Sequence, residues 1–347
     1  VRFALPLVLA LSCSGAPKRV LYITYTAGFR HASIAASQQA LLDIASRSNR
    51  QLEVVPSEDL SLISADHLKS FDALFFFTSG ELPLSDQQKA DMLQFVREGK
   101  GFGGAHSATD TLYTWPDYGD LIGAYFDGHP WTQTVSIDVE DPDHPSMRAL
   151  APSFRIQDEI YQFRNFSRDR VRVLMTLDTG SVDMNAPGIN RTDGDFALAW
   201  CSNYGNGRVF YTALGHFDET WQDPRIQNML SNALLWITGQ IDGEASPRTS
   251  SPYIASGGIG DALVPGRALA PGSIISIYGS GLTTGSTMQG NNVKLAGTEV
   301  LLDGWAIPLL YVSPSQINAT LPSDRPVGSL VRVTVPGGAS NVIAMPR

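Results

Sequence analysis

At 347 residues the chain is long enough for two domains, and its 43% apolar and 17% charged content is that of an ordinary globular protein. A net charge of −9, with Lys and Arg scattered along the chain, excludes a nucleic-acid partner, which requires a basic face to neutralise phosphates. No run is long and apolar enough to read as a transmembrane segment.

Residues 1–16 carry one Arg, a short apolar run and then small residues, and read as a signal peptide. That reading places the protein in the periplasm or outside the cell. Cys13 offers a lipidation site and hence a lipoprotein alternative. Cleavage near Ala16 would leave Cys201 as the lone cysteine, so no intrachain disulfide is expected.

From Arg19 to Tyr25 the β-branched and aromatic residues predict a buried strand, ending in a loop through Gly28 to His31. A helix follows, with Ile34, Leu41 and Ile44 at helical spacing. Leu52–Val55 and Phe71–Phe77 predict the next strands, the latter apolar enough to be covered on both faces, as in a parallel sheet. Ser85 and Gln88 form a capping-box pattern that opens a helix ending at Gly99. The glycine-rich run from Gly101 through Gly104 predicts a fourth strand. It leads into Ala105-His106-Ser107-Ala108, small residues that allow a sharp turn with an imidazole at its apex. This alternation predicts a doubly wound, mostly parallel α/β sheet with ligands beyond the strand carboxyl ends.

Further strands are expected at Thr134–Val139 and Val171–Leu177, and a hairpin at Phe196–Leu214 turning at Gly205-Asn206. Asp223-Pro224 opens a closing helix with an apolar stripe from Ile226 to Ile237. This α/β domain is taken as 17–240. Residues 241–258 read as a linker. From 259 to 347 short β runs between Gly, Pro and Asn turns predict a small all-β sandwich, open to continuation past residue 347.

His106, His31 and His216 all fall beyond expected strand ends and can border one crevice. With Glu159 as a base or ligand they form the candidate catalytic set. Asp110 either orients His106 or caps the next helix. His129, Trp131 and Ser107 join Asp110 as candidate substrate contacts, and Trp115 and Trp221 offer further aromatic stacking faces. Three His and a carboxylate also fit zinc or another divalent cation. Their spacing is not that of one helix face, so only folding could assemble them. His144 and His67 read as structural or solvated.

Residues 19–239 resemble the ThuA-like (trehalose-utilisation) family of the class I glutamine-amidotransferase-like superfamily. The resemblance rests on Gly28-Phe-Arg-His31, Gly103-Gly-Ala-His106-Ser-Ala-Thr-Asp110, Gly128-His-Pro130, Asp158-Glu-Ile-Tyr161 and Gly207-Arg-Val-Phe-Tyr211 through His216. It implies a flavodoxin-like fold and a carbohydrate substrate, a glycoside or keto-sugar to be hydrolysed, eliminated or isomerised. Where related amidotransferases carry a Cys this chain has His106, which argues against glutamine hydrolysis. The C-terminal segment resembles Ig-like, TIG-type modules, which implies a role in surface attachment. The rival readings are a non-catalytic carbohydrate-binding protein and a divalent-metal-dependent hydrolase.

Overall fold

The computed structural model of the chain describes residues 15–191, 194–247, 252–283, 287–324, 328–335 and 338–346. The signal-peptide reading and Cys13 therefore fall, apart from the last two leader residues, outside the described residues. Among those described, no helix is long and apolar enough to cross a membrane.

The chain alternates β1 (Lys18–Ile23), α1 (Ile34–Arg47), β2 (Leu52–Ser57), α2 (Ala65–Leu68), β3 (Ala73–Phe76), α3 (Asp86–Arg97), β4 (Gly101–Ala105) and α4 (Pro116–Ile122). After it come β5 (Tyr125–Phe126), β6 (Trp131–Val139), β7 (Ser153–Ile160), β8 (Phe163–Arg164), β9 (Arg172–Leu177), β10 (Ala197–Tyr204) and β11 (Gly207–Thr212). Helices α5 (Asp218–Gln222) and α6 (Pro224–Ile237) close the domain. Nine described strands make one sheet in the order β2-β1-β3-β4-β11-β10-β9-β6-β7. From β2 to β11 the neighbours run parallel, and from β11 to β7 each neighbour reverses.

The local signals act as expected. Ser85 and Gln88 form the reciprocal capping box of α3, and Asp223 caps α6 with Pro224 in its first turn. Gly205 takes φ 62° as the first of the two residues turning β10 into β11. The glycines of β4 have a steric cause. A Cβ on Gly101 would lie 2.4 Å from the Ile237 carbonyl of α6, and one on Gly104 would lie 2.8 Å from Ala108 and 3.2 Å from Ile122 of α4. Positions 101 and 104 point to opposite faces of a strand. Helices α6 and α4 thus cover the sheet from both sides, closely enough that only glycine fits between.

Strand β7 was not foreseen. Exposed and buried residues alternate from Ser153 to Asp158, but the acidic Asp158 occupies one of the inward positions. The expected linker is also shorter than 241–258, because β12 (Tyr253–Asp261) begins within it. Tyr253 is buried by the first domain. The Arg168 guanidinium lies 3.8 Å above its ring, and its hydroxyl is 3.1 Å from Thr176 Oγ1. Arg168 itself makes four bonds of 2.8–2.9 Å, two to Glu140 and two to Asp195. Beyond β12 the second domain adds β13 (Ile274–Ser280) and shorter strands to two antiparallel sheets packed on their own apolar core. This is the Ig-like sandwich expected.

His144 is buried, with Nδ1 2.7 Å from Ser146 Oγ and its ring edge-on to Trp236. Burial lowers its pKa to about 4. Its neutral form is therefore the folded one, and stability falls as pH drops from the unfolded value near 6.5 through about 4. Urea unfolding at pH 7 and pH 4.5 should show on the order of 2–3 kcal/mol of acid-dependent loss that His144→Gln removes. Equal losses in both proteins would show that the ring is not held neutral.

Candidate functional site

The parallel strands β1, β3, β4 and β11 all end at one edge of the sheet, and there the histidines meet. His31 comes from the loop after β1, His106 follows β4 directly, and His216 follows β11. Glu159 comes from β7, four strands beyond β11. Four reversals return β7 to the direction of β11, so its carboxyl end faces the same way. A flat sheet would still hold it about 19 Å from β11.

Asp158 shows how that gap is closed. It is fully buried, and its two oxygens accept from the backbone N–H groups of Glu159 (2.8 Å), Gly215 (2.8 Å) and His216 (3.0 Å) and from Thr220 Oγ1 (3.0 Å). Burial raises its pKa, opposed by the field of His106 and by these donors. The antiparallel wing therefore curls back until β7 meets the loop after β11. Irregular register between β9 and β10 is where such curling is relieved.

His106 sits in the left-handed region at φ 47°. A non-glycine residue there carries a strain of roughly 1–2 kcal/mol. Three bonds hold it: Nδ1–H donates to the Ala213 carbonyl (2.7 Å), and its own carbonyl accepts from Tyr211 Oη (2.7 Å) and Thr109 Oγ1 (3.3 Å). The first bond fixes the tautomer and leaves Nε2 as a lone pair facing the crevice. Gly215 is required opposite: at φ 142° it carries no Cβ, which would lie 3.3 Å from His106 Cβ and 3.1 Å from the Trp221 ring.

Around His106 Nε2 lie Tyr161 Oη at 2.9 Å, His216 Nδ1 at 3.3 Å and Glu159 Oε2 at 3.5 Å. Glu159 Oε2 is also 3.2 Å from His216 Nδ1, and its Oε1 is 3.3 Å from His129 Nδ1. One ligand atom each from His31, His106, Glu159 and His216 fall within 4.8 Å of one another. A metal–ligand distance of about 2.0–2.1 Å in a tetrahedral shell sets neighbouring donors about 3.3 Å apart. His106 Nε2, His216 Nδ1 and Glu159 Oε2, 3.2–3.5 Å from one another, match that spacing, with His31 within 4.8 Å, and the Nδ1–H bond of His106 to a carbonyl is the outer support such a ligand needs.

The electrostatics follow from one carboxylate among imidazoles. Burial alone would raise the Glu159 pKa, but the His216 Nδ1–H bond and the surrounding imidazoles hold it well below the carboxylate range. His216 is raised by its bond to Glu159. His31 is lowered to about 3 by burial and by the other two rings. Asp110 is raised by burial, while accepting a 2.6 Å bond from Tyr113 Oη.

The cluster opens to solvent through a crevice of about 390 Å³ walled by Phe29, Asp110, Phe126, His129 and Tyr161, a size suited to a small ligand. His129 is at the rim. Three expectations need correction. Trp131 is buried, packs on Phe196 and donates its indole N–H to the Asp183 carbonyl (3.0 Å), so it does not reach the crevice. Ser107 is also buried, 3.5 Å behind His31 Nδ1. Asp110 bonds Tyr113 and does not cap α4, whose cap position is Trp115. Trp115 stacks on Tyr118, and Trp221 props the Gly215 carbonyl from beneath. The aromatic faces in the crevice are Phe29, Phe126 and Tyr161, each within three residues of a histidine or glutamate already singled out.

The family model described as ThuA, trehalose utilisation, matches residues 19–237, and that of the IPT/TIG domain matches 262–344. Among solved structures, the chain is similar to a ThuA-like protein from Bacteroides uniformis ATCC 8492. That match has 23% identity, covers 64% of this chain and 92% of that one, and has a TM-score of 0.54. A second, from Parabacteroides merdae ATCC 43184, has 20% identity, covers 66% and 92%, and has a TM-score of 0.53. Both likenesses concern the fold. No curated protein matches the chain.

Asp158→Asn places an amide N–H₂ against N–H donors in a dry site. It should cost about 3 kcal/mol in urea unfolding, most of it from unmet donors. A variant as stable as the parent would show that Asp158 is not what holds the wing.

Proposed function

The chain belongs to the ThuA, or trehalose-utilisation, family, and from that premise we propose a carbohydrate-processing enzyme acting on a glycoside or an oxidised (keto) sugar. In this reading His31, His106, His216 and Glu159 hold a divalent cation at the crevice floor. The observation that carries it is the convergence of those four donor atoms, from four separate segments, beside an opening to solvent. When bound, such a cation polarises an oxygen of the sugar or lowers the pKa of a bound water.

The chain's own groups would do the rest. Phe29 and Phe126 offer apolar faces to sugar C–H groups. Asp110 lines the same crevice with its pKa raised, so it can hold a proton nearer neutrality than an exposed carboxylate can. On a keto-sugar it would serve as the group that gives or takes the proton beside the carbonyl or at the departing glycosidic oxygen. His129, at the rim, would contact substrate hydroxyls. The leader-like residues 1–16 support action in the periplasm or outside the cell, with the IPT/TIG domain serving attachment.

Elemental analysis of the purified protein should find one divalent metal per chain. His106→Ala and Glu159→Gln should each weaken its binding by at least about 100-fold. Turnover should be sought on glycosides with and without a sugar-oxidising enzyme, and should vanish with chelator. Asp110→Asn should keep the metal and lower kcat by roughly 10²–10⁴. Turnover undiminished in folded His106→Ala would overturn the proposal. Sugar binding without turnover under every condition would favour a binding protein instead.

A further inference from the structure

The hydroxyl of Tyr161 lies 2.9 Å from His106 Nε2, the atom that the proposed cation would need. With Nδ1–H of His106 committed to Ala213, Nε2 of the neutral ring accepts, and Tyr161 O–H is its donor. A nitrogen lone pair cannot serve both a proton donor and a metal. Tyr161 is buried, its ring 4.3 Å from those of both His106 and Phe126, so it cannot turn away to bulk water. A buried hydroxyl stripped of its acceptor must find another within reach. The remaining space in front of it is the crevice, where an oxygen of the ligand would stand beside the cation.

Resting on the cation site proposed above, we propose that Tyr161 is a two-position donor. In the empty site its hydroxyl plugs His106 Nε2. With the cation in place, the O–H is released to donate to a ligand oxygen, a ketone or glycosidic oxygen of the sugar. The plug and the cation compete for one lone pair, and the ligand oxygen and the cation cooperate through one hydroxyl. This makes Tyr161 a catalytic residue, because it touches the reacting oxygen. It also selects ligands that present a hydrogen-bond acceptor on the cation side.

The test uses the full chain loaded with Co²⁺, followed by visible absorption, with acetohydroxamate as an oxygen-donor probe. Tyr161→Phe keeps the ring packing, and unchanged thermal melting would verify the fold. The variant should bind Co²⁺ as tightly as the wild type or up to about tenfold more tightly, because a competing hydrogen bond is gone. It should bind acetohydroxamate at least about tenfold more weakly, because the donor is lost. Weaker Co²⁺ binding in Tyr161→Phe would mean that the phenol is a ligand, and would overturn the proposal. So would unchanged acetohydroxamate affinity. Absence of Co²⁺ bands in the wild type would overturn the cation reading itself, and this inference with it, an outcome distinct from the other two.

Discussion

Asp158 is a carboxylate removed from water and surrounded by four hydrogen-bond donors. Burying such a charge is costly unless its lone pairs are met. Here they are met by donors from two parts of the chain that the sheet order would keep apart. The same bonds that solvate the carboxylate pull the edge strand over the loop after β11. Its neighbour Glu159 is thereby placed beside His106 and His216. The position of the Glu159 carboxylate in the cluster is thus a by-product of satisfying Asp158.

On the other side of the crevice the constraint is steric. The β4 glycines let α4 and α6 approach closely, and the chain leaves the strand through a left-handed residue. That residue is an imidazole whose strain is held by bonds at both its ring and its carbonyl. The ring then presents one defined nitrogen. Fixed orientation, one carboxylate among several imidazoles and an opening to solvent together give a site organised before any ligand arrives. Preorganisation of this kind is what makes electrostatic catalysis effective.

The second domain is fastened by similar means. Arg168 spends its planar fork on two carboxylates and its face on Tyr253, a pairing that Lys could not reproduce. The contact makes the start of the sandwich an extension of the first domain rather than a free tether.

Local chemistry sufficed for much of the molecule. Apolar runs, capping residues, the two-residue turn and the glycine-rich strand end each act within a few residues, so the α/β domain, the β-sandwich and the imidazole at the strand end were legible in the amino-acid order. The convergence of His31, His106, His216 and Glu159 was legible only as a conjecture, from strand ends of common direction. Strand β7, the buried place of Trp131 and Ser107, the crevice faces of Phe29 and Phe126 and the contact between Tyr161 and His106 were not. They depend on which way an edge wing curls and on which donors meet a buried carboxylate. Most of those are interactions between residues more than fifty positions apart, and no short-range pattern encodes them.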